Sequence, residues 1–339
     1  MSITSILSLL ALVISGNLPT FQPLPIQKIN RPPQEVKAIY LTAYTAQGQR
    51  MDELIDIIDK TELNAVVINI KEPSGVKFWN GLDQLLVKLK QHNIWTIARL
   101  VVFQDDDLPL RQQKLALTYA NGKLWRDSGG RLWLDPTAKE IWQYNSNIAK
   151  QALALGFDEI NLDYIRFPSD GDVSAIKYPV WDKKKDKEEV IAEFAQWIAN
   201  DIKKFKPHTV ISVDVFAFTF VQDWDLDIGQ RLSLLAQYFD VVAPMIYPSH
   251  YRAGNFGFNN PAEHPQEVVK ETLETGKSIL KNSKVIIRPW LQDFNMGAKY
   301  TPELVRAQIN AIQESGYNSG WMLWNPSNKY TTQALYANP

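Results

Sequence analysis

The sequence contains no cysteine, which excludes disulfides, thiolate metal sites, a cysteine nucleophile and a lipid-modified N-terminal cysteine. Histidine is also scarce. The four residues His92, His208, His250 and His264 form none of the close pairs that zinc centres use, so no metal or organic cofactor is called for. An excess of charge of one sign is missing too: 36 basic and 37 acidic residues leave a net charge of −1. That balance gives no global attraction to nucleic acid or acidic membranes and favours a neutral ligand. No G-x-G-x-x-G follows the first apolar run, which argues against a dinucleotide-binding fold. What is present is a 45% hydrophobic chain of 339 residues, enough for one large core, and eleven tryptophans. Flat aromatic surface in that amount suits sugar-binding clefts as well as cores.

The N-terminus reads separately from the rest. Residues 3–14 are almost uninterrupted apolar sequence followed by Ser15 and Gly16, too short for a comfortable membrane span and shaped like an export signal. Because no Lys or Arg precedes this run, an uncleaved membrane anchor is the competing reading of residues 1–16. A buried first helix is a third. Residues 17–35 hold Pro19, Pro23, Pro25, Pro32 and Pro33 and suit an extended tether. The sequence leaves the oligomeric state open.

Residues 36–339 read as one domain. Eight apolar runs suggest strands at 36–43, 65–70, 94–102, 159–164, 209–216, 241–247, 285–290 and 320–324. Amphipathic segments lie between them at 51–61, 82–92, 138–155, 188–205, 229–239, 265–281 and 302–315. Alternation of this kind forces a parallel sheet, and eight units favour closure into a (β/α)8 barrel, the TIM barrel. In the fourth and fifth runs polar and apolar residues alternate. Asn161, Asp163, Ser212 and Asp214 therefore share the inward face, while Ile160, Leu162, Ile211 and Val213 turn outward. Two acids at adjacent strand ends of such a barrel are the equipment for hydrolysing a glycosidic bond.

Other polar and aromatic residues also gather after strands: Tyr44 after the first, Lys71 and Glu72 after the second, Arg99 in the third, Tyr247 and His250 around the sixth, Arg288, Trp290 and Asp293 around the seventh, and Trp324 and Asn325 at the eighth. Several longer runs carry a resemblance. TELNAVVI at 61–68, WRD at 125–127, WLDP at 133–136, FDEINLDYIRFPS at 157–169, PMIYPSHY at 244–251, RPWLQDF at 288–294 and WMLWNP at 321–326 closely resemble the bacterial glycoside-hydrolase-like family known as domain of unknown function 4015. The likeness covers about residues 36–331. It implies a barrel distantly similar to those of α-amylases and α-galactosidases, with Asp163 as nucleophile, Asp214 as acid/base and Asp293 as a further acid after strand seven. Asp214 stands where amylases have Glu, and Asn161 stands where they have an arginine.

The expected activity is retaining cleavage of a glycosidic bond in an exported polysaccharide or oligosaccharide. Tyr44, Lys71, Glu72, Arg99, Trp133, Asp135, Arg166, Tyr247, His250, Arg288, Trp290, Trp324 and Asn325 are the substrate-side candidates. Each has a plainer reading. Asp163 pairs readily with Arg166, Lys71 and Glu72 neutralise each other, and Asp135 before Pro136 reads as a helix N-cap with proline at N1. Trp290 and Trp324 are read as sugar platforms, and Trp95 and Trp197 as packing residues. A non-catalytic glycan-binding barrel, for cell-wall or capsule material, is the alternative; it would keep the tryptophans without needing two acids in register.

Overall fold

The computed structural model describes residues 31–338. The export segment expected at 1–16 and most of the 17–35 tether lie outside them. Among the described residues, no helix is long and apolar enough to cross a membrane.

Strands β1 (Val36–Leu41), β2 (Ala65–Glu72), β3 (Trp95–Val101), β4 (Glu159–Asp163), β5 (Val210–Phe216), β6 (Val241–Ile246), β7 (Trp290–Gln292, preceded by Ile286–Ile287) and β8 (Gly320–Trp324) are parallel. They follow one another around the sheet, and β1 pairs with both β8 and β2, so the barrel closes. Closure is tight at Gly320: its φ is +92°, and a Cβ there would lie 2.0 Å from the Val36 carbonyl oxygen. Any side chain at this position would push β8 off β1.

The connecting helices are α1 (Arg50–Lys60), α2 (Leu82–Gln91), α3 (Lys139–Leu155), α4 (Lys187–Phe205), α5 (Leu232–Leu235), α6 (Pro265–Ile279) and α7 (Pro302–Glu314). Their ends follow local chemistry. Asp186 and Glu189 form a capping box at the start of α4, prolines open α6 and α7, and left-handed Gly156 stops α3.

Two elements differ from expectation. The helix read over residues 229–239 shrinks to Leu232–Leu235, because the residues before it serve the barrel instead. Gly229, at φ +84°, packs so closely on α4 that a Cβ would meet Ile191 at 2.5 Å. Gln230 then turns back to β5, accepting from Phe216 N–H at 3.0 Å and donating to the Asp214 carbonyl at 3.3 Å. The seventh strand, read as 285–290, is interrupted at Arg288–Pro289 and runs on to Gln292; proline supplies no ladder N–H. This extension moves the mouth of the barrel past Trp290.

Alternation along the strands sorts residues into two apolar clusters. Ile160, Leu162, Ile211 and Val213 join the outer cluster with α1–α4, α6 and α7. Ala38, Tyr40, Val67, Ile97, Trp290 and Met322 belong to the smaller lumen cluster.

Candidate active site

The β4–β5 register places Leu162 beside Val213, so the next residues, Asp163 and Asp214, reach the mouth at one level. A polar column rises through the lumen beneath them. At its floor Glu159, the first residue of β4, accepts from Arg288 at 2.8 and 3.0 Å and from Trp95 Nε1 at 3.1 Å. Above it Asn161 donates to Ser212 at 3.1 Å and to Asp214 Oδ1 at 2.8 Å. Trp290 Nε1 donates to the same Asp214 oxygen at 2.8 Å.

The two acids have different partners. Asp163 accepts from Arg99 and, at 2.6 Å, from the N–H of Tyr164, a set that suits a carboxylate anion. Tyr164 adopts φ +54°, a sparsely populated conformation for a non-glycine residue, and this turn aims its N–H back at Asp163. Asp214 is sealed into the lumen; burial first, and then the Asp163 charge, push its carboxyl up to about 8. Arg99 reaches both acids, with Nε 3.7 Å from Asp214 Oδ2. Because Oδ1 of Asp214 already accepts two N–H groups, a proton on this carboxyl sits on Oδ2, the oxygen near Arg99. Burial lowers and Asp163 raises the Arg99 pKa, and the net shift is upward. With Asn161 two residues before Asp163, the guanidinium on this acid comes from Arg99 of β3. Arg99 is itself held by Asn69, which donates to the Tyr40 hydroxyl at 2.6 Å.

One side of the mouth is aromatic. Tyr247 lies 5.3 Å from Trp324 and 6.0 Å from Phe294, ring centre to ring centre, and Trp324 packs 6.3 Å from Tyr40. Burial, followed by Asp214 and Asp163, holds the Tyr247 phenol well above its ordinary pKa, so it is a neutral hydroxyl beside both acids. His250 sits 5.4 Å from Tyr247 at the outer edge. Tyr44, 87% exposed on the short helix after β1, stands free of this wall. Glu72 accepts from Asn69 at 3.1 Å, which ties it to the Arg99 side.

Several candidates are placed elsewhere. Arg288 is a floor residue paired with Glu159, because the seventh strand continues beyond it. Trp290 is 2% exposed and belongs to the lumen core, not to a sugar platform; Trp324 is only partly covered. Lys71 does not meet Glu72. A register shift between Asn69 and Lys71 breaks the alternation, and Lys71 turns into the loop after β3. There it bonds the Val101 carbonyl at 2.5 Å and pairs with Asp105 at 2.9 Å, with no exposure of either side chain. Trp133 is fully buried, donating to Asp127 at 2.8 Å. Asp135 is a buried loop brace: it accepts from Thr137, Val180 and Trp181, and α3 starts only at Lys139.

Asp293 is turned away from the pair. Its carboxylate accepts from Thr331 N–H at 2.8 Å and from the Thr331 hydroxyl at 2.6 Å, while Asn325 donates to its carbonyl. It lines a cavity of about 390 Å³ with Phe294, Tyr300, Asn325 and Lys329. Burial raises its carboxyl to about 6.

Sequence reasoning missed Tyr40 and passed over Asn69 as a support. Both follow from period-two alternation on β1 and β2, where they face the lumen. Tyr164 carried no signal outside its motif, since backbone strain is not written in residue type.

A closed (β/α)8 barrel with two acids and a shared arginine at its mouth defines a glycoside-hydrolase-like barrel. The chain belongs to the family DUF4015, described as "Putative glycosyl hydrolase domain", which it matches over residues 38–330. Its fold is similar to that of the PgaB (BpsB) glycoside hydrolase domain from Bordetella bronchiseptica, at 15% identity and a TM-score of 0.64, covering 91% of this chain and 100% of that one. The α-galactosidase TtGalA from Thermus thermophilus is similar at 13% identity and a TM-score of 0.57, over 88% of this chain and 59% of that one. A hypothetical protein from Ruminiclostridium thermocellum ATCC 27405 shares 34% identity over 52% of this chain and 97% of its own, at a TM-score of 0.46. No curated protein matches the chain at a significant level.

Proposed function

We propose that this protein hydrolyses a glycosidic bond in an exported carbohydrate by a retaining, two-carboxylate mechanism. The observation that carries the reading is the division of partners between the acids: Arg99 and the Tyr164 N–H on Asp163, and burial with only the neutral donors Asn161 and Trp290 in hydrogen-bond contact on Asp214. Asp163 attacks the anomeric carbon while Asp214 gives its Oδ2 proton to the departing glycosidic oxygen. In the second step Asp214 takes a proton from water, the water oxygen bonds to the anomeric carbon, and Asp163 leaves as a carboxylate. Adjacent strand ends favour the short carboxyl separation of roughly 5 to 5.5 Å used in retention over the wider gap that holds an activating water. Tyr247 is suited to donate to a sugar hydroxyl or ring oxygen, and Tyr247, Phe294 and Trp324 offer apolar surface to sugar C–H faces. Asp293 is assigned no chemical step. Residues 1–16 are assigned to delivery out of the cytoplasm, on the strength of their apolar run.

The test is a screen of the purified protein against a glycan panel, with the first-formed anomer of the product read by NMR. Retention of the substrate's configuration is expected; inversion would overturn the nucleophilic role of Asp163.

A further inference from the structure

Three basic side chains are buried among the described residues: Lys71, Arg166 and Arg288. Lys71 is paired with Asp105 and Arg288 with Glu159. Arg166 has no carboxylate partner among the described residues, although it is only 6% exposed. The cost of burying an uncompensated charge makes such a residue exceptional. The nearest acids are otherwise engaged. Asp163 is held by Arg99, Asp127 accepts from Gln104, Trp133, Gly129 and Arg131, and Asp170 accepts from Ser128.

What Arg166 does have is a rigid mount. Its Nη1 donates to the Phe167 carbonyl at 3.0 Å and to Ser169 at 3.1 Å. The guanidinium carbon lies 4.9 Å from the Trp133 ring centre, 5.0 Å from Tyr164 and 4.8 Å from Phe216. Three rings fix the cation, while Nε and Nη2 make no hydrogen bond to any described residue and are not fully buried, so they face solvent. Those two N–H groups form the edge of the fork that takes a carboxylate in bidentate fashion. Tyr164 flanks Arg166 with its ring and binds Asp163 with its N–H, so the fork and the nucleophile share a wall. Burial pulls the Arg166 pKa down, in keeping with a charge that lacks its counterion.

We propose that Arg166 binds a carboxylate carried by the sugar seated next to Asp163, so that the substrate is an acidic, uronate-type glycan. This deepens the glycosidase reading and rests on it for the position of the sugar. The overall charge near zero, which pointed to a neutral ligand, averages over a surface on which this one buried cation is unbalanced.

The experiment measures calorimetric binding of oligosaccharides from polygalacturonate, polyglucuronate and alginate, each beside its carboxyl-reduced neutral counterpart, and of one sulfated neutral oligosaccharide. Wild type, Arg166→Gln and Arg166→Lys are compared, with hydrolysis followed in the same samples. Wild type should bind at least one acidic member about 10- to 100-fold tighter than its reduced counterpart, the range for a charged hydrogen-bonded contact. Arg166→Gln should abolish that preference, and Arg166→Lys should keep only part of it. Failure of the wild type to bind any uronate, equal binding of acidic and reduced forms, binding of the sulfated glycan alone, or a preference that survives in Arg166→Gln each overturns the proposal. The wild-type comparison stands even where a variant fails to fold. Uronate binding without hydrolysis would sink the glycosidase reading and leave the carboxylate site standing, whereas hydrolysis of neutral glycans alone would do the reverse.

Discussion

Asp214 is where chemistry and stability pull against each other. An aspartate in the unfolded chain loses its proton near about 3.9, but burial raises the folded-state value to about 8. Between those pH values the folded protein holds a proton that the unfolded chain has released, so stability falls as pH rises through the window. Asp214→Asn removes the titration and keeps an oxygen for Asn161 and Trp290. Its melting temperature should decline less than that of the wild type between roughly pH 4 and 8, and a set of melting curves across that range checks this. A wild-type slope retained in the variant would assign the effect to other groups. The same residue should limit activity. Turnover of natural glycosides is expected to fall as pH rises through about 8, where the acid is lost. Asp214→Asn should lower kcat by roughly 10² to 10⁴, with a smaller loss on activated glycosides whose leaving groups need no proton. Equal losses on both substrate types would remove Asp214 from the acid role.

At the scale of elements, the ends of β7 and β8 separate packing from binding. Trp290 is locked in the lumen by its hydrogen bond to Asp214, so Trp290→Ala should cost about 3 to 5 kcal/mol in urea denaturation. Trp324, partly covered at the mouth, should be replaceable by alanine at little cost in stability but with about 5- to 30-fold weaker glycan binding, from roughly 1 to 2 kcal/mol of lost apolar contact. If the two variants are equally unstable, Trp324 is core as well. The bulge in β2 makes a parallel case. Lys71→Met would leave Asp105 buried without its counterion and should destabilise the protein by about 3 to 5 kcal/mol, again by urea titration. These contrasts show where sequence reasoning ran out. Period-two alternation placed Asn161, Asp163, Ser212 and Asp214 correctly on one face, because nothing in β4 or β5 interrupts the pleat. Lys71 and Arg288 were misplaced for other reasons: a bulge in β2 turns Lys71 out of the lumen, and the seventh strand runs on past Arg288, which leaves it at the floor beside Glu159. Neither event is determined by the local residue types alone.

For the molecule as a whole, the order of strands and helices was legible because eight apolar runs separated by amphipathic segments leave few ways to bury both faces of a parallel sheet. The mouth was legible only in part. The acids and Arg99 sit on strands and obey the pleat, but the long loop after β3, which supplies Trp133 and Asp135, folds by side-chain-to-backbone hydrogen bonds that no periodicity reveals. We propose that residues 1–35 deliver this barrel to its substrate. Fused to a reporter active only outside the cytoplasm, they should yield activity, and a reporter confined to the cytoplasm would refute the export assignment.

The central claim is that Asp163 forms a bond to the substrate, and the most direct measurement compares hydrolysis by wild type and Asp163→Asn on whichever glycan the wild type cleaves, with affinity for that glycan measured in parallel. The account predicts turnover reduced to background with folding intact and affinity nearly unchanged. A variant that cleaves at the wild-type rate would contradict it.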